Sequence, residues 1–467
     1  MSMKNYKNYI LALMIGAVFT ACDVLDLEPQ ASISDEIALS TPGNVQTALT
    51  GGYAALGGLN AYGGSYIYLT DIYAAPVNEI FFNGTFLQPR EVNDKAILRT
   101  NSFIAGYWAT SYNVINRANN VLSALDVFGS DETARRDRIG AEARFLRGVA
   151  FYNLVQVFGK AYNDGNPSAN PGVPIVLTPT RVVDESLQVE RASVADVYAQ
   201  AIADLMAARD ALPGTNGFFA NTYTASAMLA RVYLSMGNYA AAGAEANRVI
   251  ASGNYALFPD IADNFVRTQN GAETIFAVQN TATTFSNDMA VFYAPTPYGR
   301  ADIQVLDLHL ENYEDGDARA DLFVQTGRGR MTMKYASDDP SVDPRRTNIT
   351  VLRLAEMHLI RAEANIRLTG SGVNGIGNVT PEFDINEIRD RVGLDDLGSV
   401  TLADVLQERR NELMFEGHLY NDLRRLEGTT QALTRLVVPW NDNSLVFPIP
   451  ERETNVNASL TQNPGYE

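Results

Sequence analysis

From about Asn101 onward, apolar residues return every third or fourth position, the period of helices that bury one face. Trp108, Tyr112, Ile115, Ala118 and Leu122 make one such stripe and predict a core-facing helix running to about Leu125. The segment 141–159 is apolar nearly all round in its second half, so burial on more than one side is expected. Further helices are predicted over 194–211, 225–236, 239–251, 351–368 and 402–425, the last interrupted at Gly417. Loop-rich insertions are expected at 50–100, 160–190, 253–350 and 370–381, where Gly, Pro, Asn and Asp cluster, with short strands at 173–177 and 274–279.

Pairs of helices joined by short turns are the recurring unit. The stretch 225–255 places small Ala residues where helices must approach closely, turns at Gly237 and Asn238, and resembles a tetratricopeptide helix pair. Such pairs cannot bury their apolar faces alone and stack into a curved superhelix. The expected fold class is therefore mainly α, a tetratricopeptide-like helix-pair superhelix with loop-rich insertions and a few short strands.

At 467 residues the chain exceeds the roughly 150 of a typical domain and is either two domains or one extended array. With 46% hydrophobic and 19% charged residues it is globular. Its 36 basic and 54 acidic residues leave a formal charge of −18, which repels phosphate backbones, so nucleic acid is not an expected partner. One cysteine, Cys22, and three histidines, His309, His358 and His418, are too few for a Cys/His zinc site, a disulfide framework or an iron–sulfur cluster. No G-x-S-x-G elbow, P-loop or HExxH motif occurs, and no cofactor is implied.

Lys4 and Lys7 followed by the apolar run 9–19 read as a secretory leader, too short for the about 20 apolar residues that span a bilayer. Cys22 directly after Ala21 resembles a bacterial lipobox, with Phe19 where Leu is usual. An acylated Cys22 would anchor the mature chain, against the alternative of a buried inert thiol. Asp23, Asp26 and Glu28 follow and resemble a surface-export signal, or else are a solvated tether.

Glu408, Glu412 and Glu416 recur every four residues, which raises the carboxylate pair of a glycosidase. On one helical face beside Arg409, Arg410, Arg424 and Arg425 they instead predict a structural charge network, as do Glu142, Arg144 and Arg147, and Arg361 and Glu363. The acidic groups Glu314, Asp315, Asp317 and Asp321, and Asp338, Asp339 and Asp343, lack EF-hand spacing and read as solvated loops.

Sugars present apolar C–H faces and a rim of hydroxyls, so their sites pair aromatic rings with Asp, Asn, Arg or Lys on loops. Seven aromatics fall in the 25 positions 62–86, about three times the 9% of the whole chain, interleaved with polar groups. This cluster nominates Tyr68, Asp71, Tyr73, Asn78, Phe81, Phe82, Asn83, Phe86 and Arg90 as ligand-binding residues. A second cluster, Phe285, Phe292, Tyr293 and Tyr298 beside Asn287, Asp288 and Arg300, adds Phe292 and Tyr293. The alternative for both clusters is a minor core under the insertions. Trp108 reads as core.

The strings AEARFLRGVAFYNLVQVFG from Ala141, GVPIVL from Gly172, LARVYLSMGNY from Leu229, LRLAEMHLIRAEAN from Leu352, ERRNELMFEGHLYNDLRR from Glu408, FPIP from Phe447 and QNPGY from Gln462, with the lipobox, resemble the SusD/RagB family of outer-membrane nutrient-binding lipoproteins over essentially the whole length. His358 stands where that family often has an aromatic. The resemblance implies four tetratricopeptide-type helix pairs under a less regular ligand-binding part, with no enzymatic activity. It implies capture of oligosaccharides, in some members peptides, at the cell surface and delivery to a SusC-like TonB-dependent transporter, with the outer membrane as the anchor's partner. The chain would divide into a leader at 1–21, an N-terminal half with ligand-binding insertions at 22–230 and a C-terminal half at 231–467. An oligopeptide binder, a surface glycosidase and a pure protein-recruiting scaffold are the rival readings.

Overall fold

The structure, a computed structural model, describes residues 35–181, 188–280, 287–337 and 339–467. Cys22 and its leader, Phe285 and Asp338 lie outside the described residues.

The stripes become a run of helices, each packed on its neighbour in the chain: α1 (Pro42–Leu56), α4 (Ser102–Ser123), α5 (Thr133–Phe158), α6 (Val194–Ala211), α7 (Thr222–Ser235), α8 (Tyr239–Ile250), α10 (Leu354–Leu368), and then α11 (Pro381–Asp390) and α12 (Leu402–Leu413), both against α10. Two shorter helices, α2 (Ser65–Ala74) and α3 (Leu87–Asn93), lie between the first pair. Starts are set locally. The Ser193 hydroxyl accepts from the Asp196 N–H, and Asn221 with Thr224 and Thr401 with Asp404 close reciprocal capping boxes.

Four buried two-pronged arginine–carboxylate pairs tie helices of the stack together. Arg147 holds Asp204 at 2.8 Å, Arg231 holds Glu356 at 2.6 and 2.8 Å, Arg361 holds Asp384 at 2.7 and 2.9 Å, and Arg425 holds Glu363 at 2.7 and 2.8 Å. Fork-to-fork pairing fixes the rotation of one helix against the next, which apolar contact alone leaves loose.

Three expectations need correction. The 351–368 segment is not all helix: β6 (Ile349–Arg353) pairs antiparallel with β2 (Thr274–Val278) before α10 begins, because the run Ile-Thr-Val-Leu is β-branched and buried. The 173–177 strand does not form. Pro174 lacks an N–H, and the Pro174 and Val176 carbonyls accept from Tyr112 and Asn119 of α4 instead of from a strand. The 50–100 region is not mainly loop, since α1 extends into it and α2 and α3 lie inside it.

The insertions build a second layer. β1 (Ile80–Phe82) pairs antiparallel with β3 (Ile303–Val305), in register Ile80 to Val305 and Phe82 to Ile303. The hairpin of β4 (Phe323–Thr326) and β5 (Gly329–Thr332) lies beside β3, and α9 (Asp288–Tyr293) packs on α2. The chain breaks between α12 and α13 (Leu419–Arg425) at Gly417, whose φ of +81° and 3.3 Å approach of an added Cβ to the Ile67 Cα admit only glycine comfortably.

Candidate functional site

The two aromatic clusters, more than 200 residues apart, meet in this second layer. Most of their rings turn inward. Tyr68, Asp71 and Tyr73 on α2 have no exposed surface, Phe82 keeps 1%, Phe292 3% and Tyr293 none. Tyr73 stacks on Tyr420 at 5.2 Å and donates to the Ser444 carbonyl at 2.6 Å, while Tyr293 stacks on Tyr335 at 5.4 Å. These rings belong to the main hydrophobic core, with Asp71 buried beside them, rather than to a separate core under the insertions, and they present almost no surface to a ligand. A helix whose whole circumference is buried, such as α2, needs aromatic density for packing alone.

Asp71 is explained by its place. Its two carboxyl oxygens accept from the Gly417 N–H at 3.0 and 3.2 Å across the α12–α13 break. Burial pushes its pKa well above the usual carboxylate range, with the Gly417 N–H working against that shift. Asp71→Asn keeps an acceptor for Gly417 and removes the cost of charging a buried acid. Its thermal midpoint at pH 7 is expected to be no lower than that of the native chain, measured by circular dichroism.

The other nominated residues remain accessible. Asn78, Asn83, Phe86 and Arg90 are exposed and Phe81 is half-buried on the outer side of β1. Four rings form a column leading out of the core. Tyr68 meets Phe292 at 4.4 Å, and Phe292 meets both Phe82 at 6.1 Å and Phe86 at 6.2 Å. Phe86, also 6.0 Å from Phe103, is 40% exposed, and Leu87 beside it 57%. Phe86 is thus a partly exposed ring, backed by Phe292 and Phe103 and overlain by a guanidinium.

Polar groups surround it. The Asn83 N–H donates to the Asp302 carbonyl at 2.7 Å, which extends the β1–β3 ladder by one pair and sets loop 83–86 against 300–302. Arg300 lies over the Phe86 ring at 4.6 Å, holds Asp302 at 2.6 Å and donates to the Thr85 hydroxyl at 2.8 Å. Arg90 donates to the Gly84 carbonyl at 2.7 Å. A Cβ at Gly84 would fall 2.5 Å from the Asp302 Cγ, so glycine there allows loop and carboxylate to touch. The Arg328 side chain, 55% exposed at the β4–β5 turn, comes within 4.0 Å of Asp302. Asp302 and Arg328 were not singled out from the sequence, although the glycines flanking Arg328 in TGRGR mark a hairpin tip that displays it.

Other features offer concave surface or charge elsewhere in the fold. A cavity of ≈390 Å³ lies between α12, α13 and Pro76; its wall joins leucines such as Leu406 and Leu423 to Gln407, Arg409, Arg410 and His418, and holds no Phe, Tyr or Trp. Glu408, Glu412 and Glu416 are sealed among Arg319, Arg353, Arg391 and Lys334 rather than facing a cleft. Of the arginines expected beside them, Arg409 pairs with Asp422, Arg410 with Glu79 and Arg425 with Glu363, while Arg424 donates to the Gln156 and Gly159 carbonyls. The histidines stay apart. His309 lies beside Glu79, His358 bonds Asp384 at 2.7 Å and His418 sits buried near Glu356. In the acidic loops, Glu314 and Asp317 are held by Arg389 and Arg319, and Asp343 by Arg345.

A family model described as starch-binding and associating with the outer membrane matches residues 24–234, and one described as the SusD family matches residues 303–466. SusD-like protein P2 of Formosa agariphila is 25% identical over 99% of this chain and 100% of its own length. Starch-binding protein SusD of Bacteroides thetaiotaomicron is 28% identical over 32% of this chain and 31% of its own. Among solved structures, a SusD superfamily protein of Bacteroides vulgatus superposes with a TM-score of 0.80 at 25% identity, covering 91% of this chain and 99% of that one. Surface glycan-binding protein A of Bacteroides uniformis gives 0.73 at 22% identity, covering 91% and 100%, a likeness of fold. With matches to both halves in chain order, relatives alike from end to end and a common fold, this chain belongs to the SusD/RagB family.

Proposed function

We propose that this protein is a cell-surface lipoprotein, anchored through Cys22, that captures oligosaccharides and hands them to a SusC-like TonB-dependent outer-membrane transporter. One observation carries the reading: a partly exposed ring, Phe86, backed by Phe292 and by Phe103 of α4 and surrounded by Asn83, Thr85, Arg90 and Arg300. A pyranose lays its C–H face on such a ring and gives its hydroxyls to the rim. The family description, starch-binding and associating with the outer membrane, and the names of the Bacteroides relatives support a carbohydrate ligand. Among the described residues no helix is long and apolar enough to cross a membrane; the attachment proposed is a lipid on Cys22. Binding without bond cleavage accords with carboxylates that are tied up in ion pairs.

A glycan array probed with the purified protein tests the ligand class: one or more oligosaccharides are retained without turnover, and an empty array contradicts the reading. Labelled palmitate tests the anchor. Incorporation that is lost in Cys22→Ser is expected, and an unlabelled, freely periplasmic protein would remove the geometry for delivery.

A further inference from the structure

The charge gathered around loop 83–86 is opposite to that of the chain. Three guanidinium groups, those of Arg90, Arg300 and Arg328, gather about it against one buried carboxylate, Asp302. Asp302 spends one oxygen on Arg300 at 2.6 Å; its other, Oδ1, has no hydrogen-bond partner, and Arg328 at 4.0 Å is too far to bond it. Arg90 forms no ion pair with any described carboxylate. Glu91 next to it accepts from the Leu98 N–H and Asn101, and Asp94 one turn along feels Lys95 more strongly than Arg90. Nearby Arg330 is neutralised by Asp307.

With Glu91 counted, whose neutral partners cancel none of its charge, Arg90, Arg300 and Arg328 exceed Asp302 and Glu91 by one positive charge, on a chain whose formal charge is −18. The distant acidic surface is screened beyond about 8 Å at physiological salt, so an incoming ligand responds to the local arginines. Unpaired arginines, with their planar forks, recognise carboxylate or sulfate, whereas a neutral sugar gains little from net charge.

Resting on the reading of this loop as a glycan site, we infer that the ligand is an acidic oligosaccharide whose rings carry carboxylate or sulfate groups. Phe86 takes an apolar sugar face, while Arg90, Arg300 and Arg328 take the anionic substituents.

Calorimetric titration of the purified protein with three oligosaccharides of equal length tests this: a neutral maltooligosaccharide, an oligogalacturonate and a sulfated galactan fragment. At least one acidic probe is expected to bind about tenfold or more tighter than the neutral one, and to lose about tenfold between 50 and 500 mM NaCl. Whichever acidic probe leads identifies carboxylate or sulfate. The double variant Arg90→Gln, Arg328→Gln should remove the preference for that probe, and Arg328→Lys, which keeps the charge, should retain most of it. A neutral probe bound as tightly as both acidic ones, without salt dependence, overturns the inference and leaves glycan capture intact. Failure of all three probes together with an empty glycan array overturns the capture reading itself.

Discussion

Replacing Glu412 with alanine is expected to cost about 3–5 kcal/mol of folding stability, the range for breaking a buried ion pair by removing one partner. Glu412 is fully buried, and its carboxylate meets Arg353 at 2.5 Å, Arg319 at 3.5 Å and Arg391. Burial alone would raise its pKa, but Arg391, Arg353 and Arg319 outweigh burial and hold it well below the usual carboxylate range. Deleting it leaves three buried cations short of counter-charge at the point where β6, α12 and the 314–322 turn converge. Urea unfolding followed by circular dichroism measures the loss; a change below about 0.5 kcal/mol, the size of an ordinary surface substitution, would show the network to be incidental.

This cluster and the neighbouring Arg409–Asp422–Arg425–Glu363 group set the acid limit. Glu363, Glu412, Glu416 and Asp422 all have depressed pKa values because arginines, joined by Lys334 at Glu416, outweigh their burial. A depressed carboxyl stabilises the fold fully above its unfolded pKa, about 3.9–4.3, and that contribution fades as pH falls through the folded value. Stability should therefore drop steeply below about pH 4. Glu408 and Asp71, both raised by burial, oppose this trend.

The second large effect concerns the Phe86 ring. Phe86→Ala is expected to weaken oligosaccharide binding by roughly 10- to 100-fold, about 1.5–3 kcal/mol, the worth of an aromatic face withdrawn from a stacked ligand. Because the ring is 40% exposed and its ring contacts are with Phe292 and Phe103, at the edge of the core, the fold should survive the change. Phe86→Leu, apolar but without the flat face, should fall between. Parallel titrations and melting curves check both.

The stack was legible because its signals are local. Helix 194–211 has its capping serine, periodic apolar face and a following Pro213, and the Gly417 break shows as a glycine inside an apolar run. Strand 349–353 was hidden because a buried strand running straight into a buried helix has one continuous apolar pattern. In the insertions, aromatic density could mean ligand or core, and periodicity does not separate the two. It took the β1–β3 register to show that Phe82 faces in while Phe86, four residues on, emerges. The contacts that make the site, Arg300 to Thr85 over 215 positions and Asp302 against Gly84, join segments that no short-range pattern links.

The most direct measurement is a crystal structure of the protein with the tightest oligosaccharide from the array. The account predicts a sugar ring against Phe86, with its substituents reaching Asn83, Arg90 or Arg300. A sugar seated in the cavity beside Leu406 and Leu423, with Phe86 bare, would contradict it.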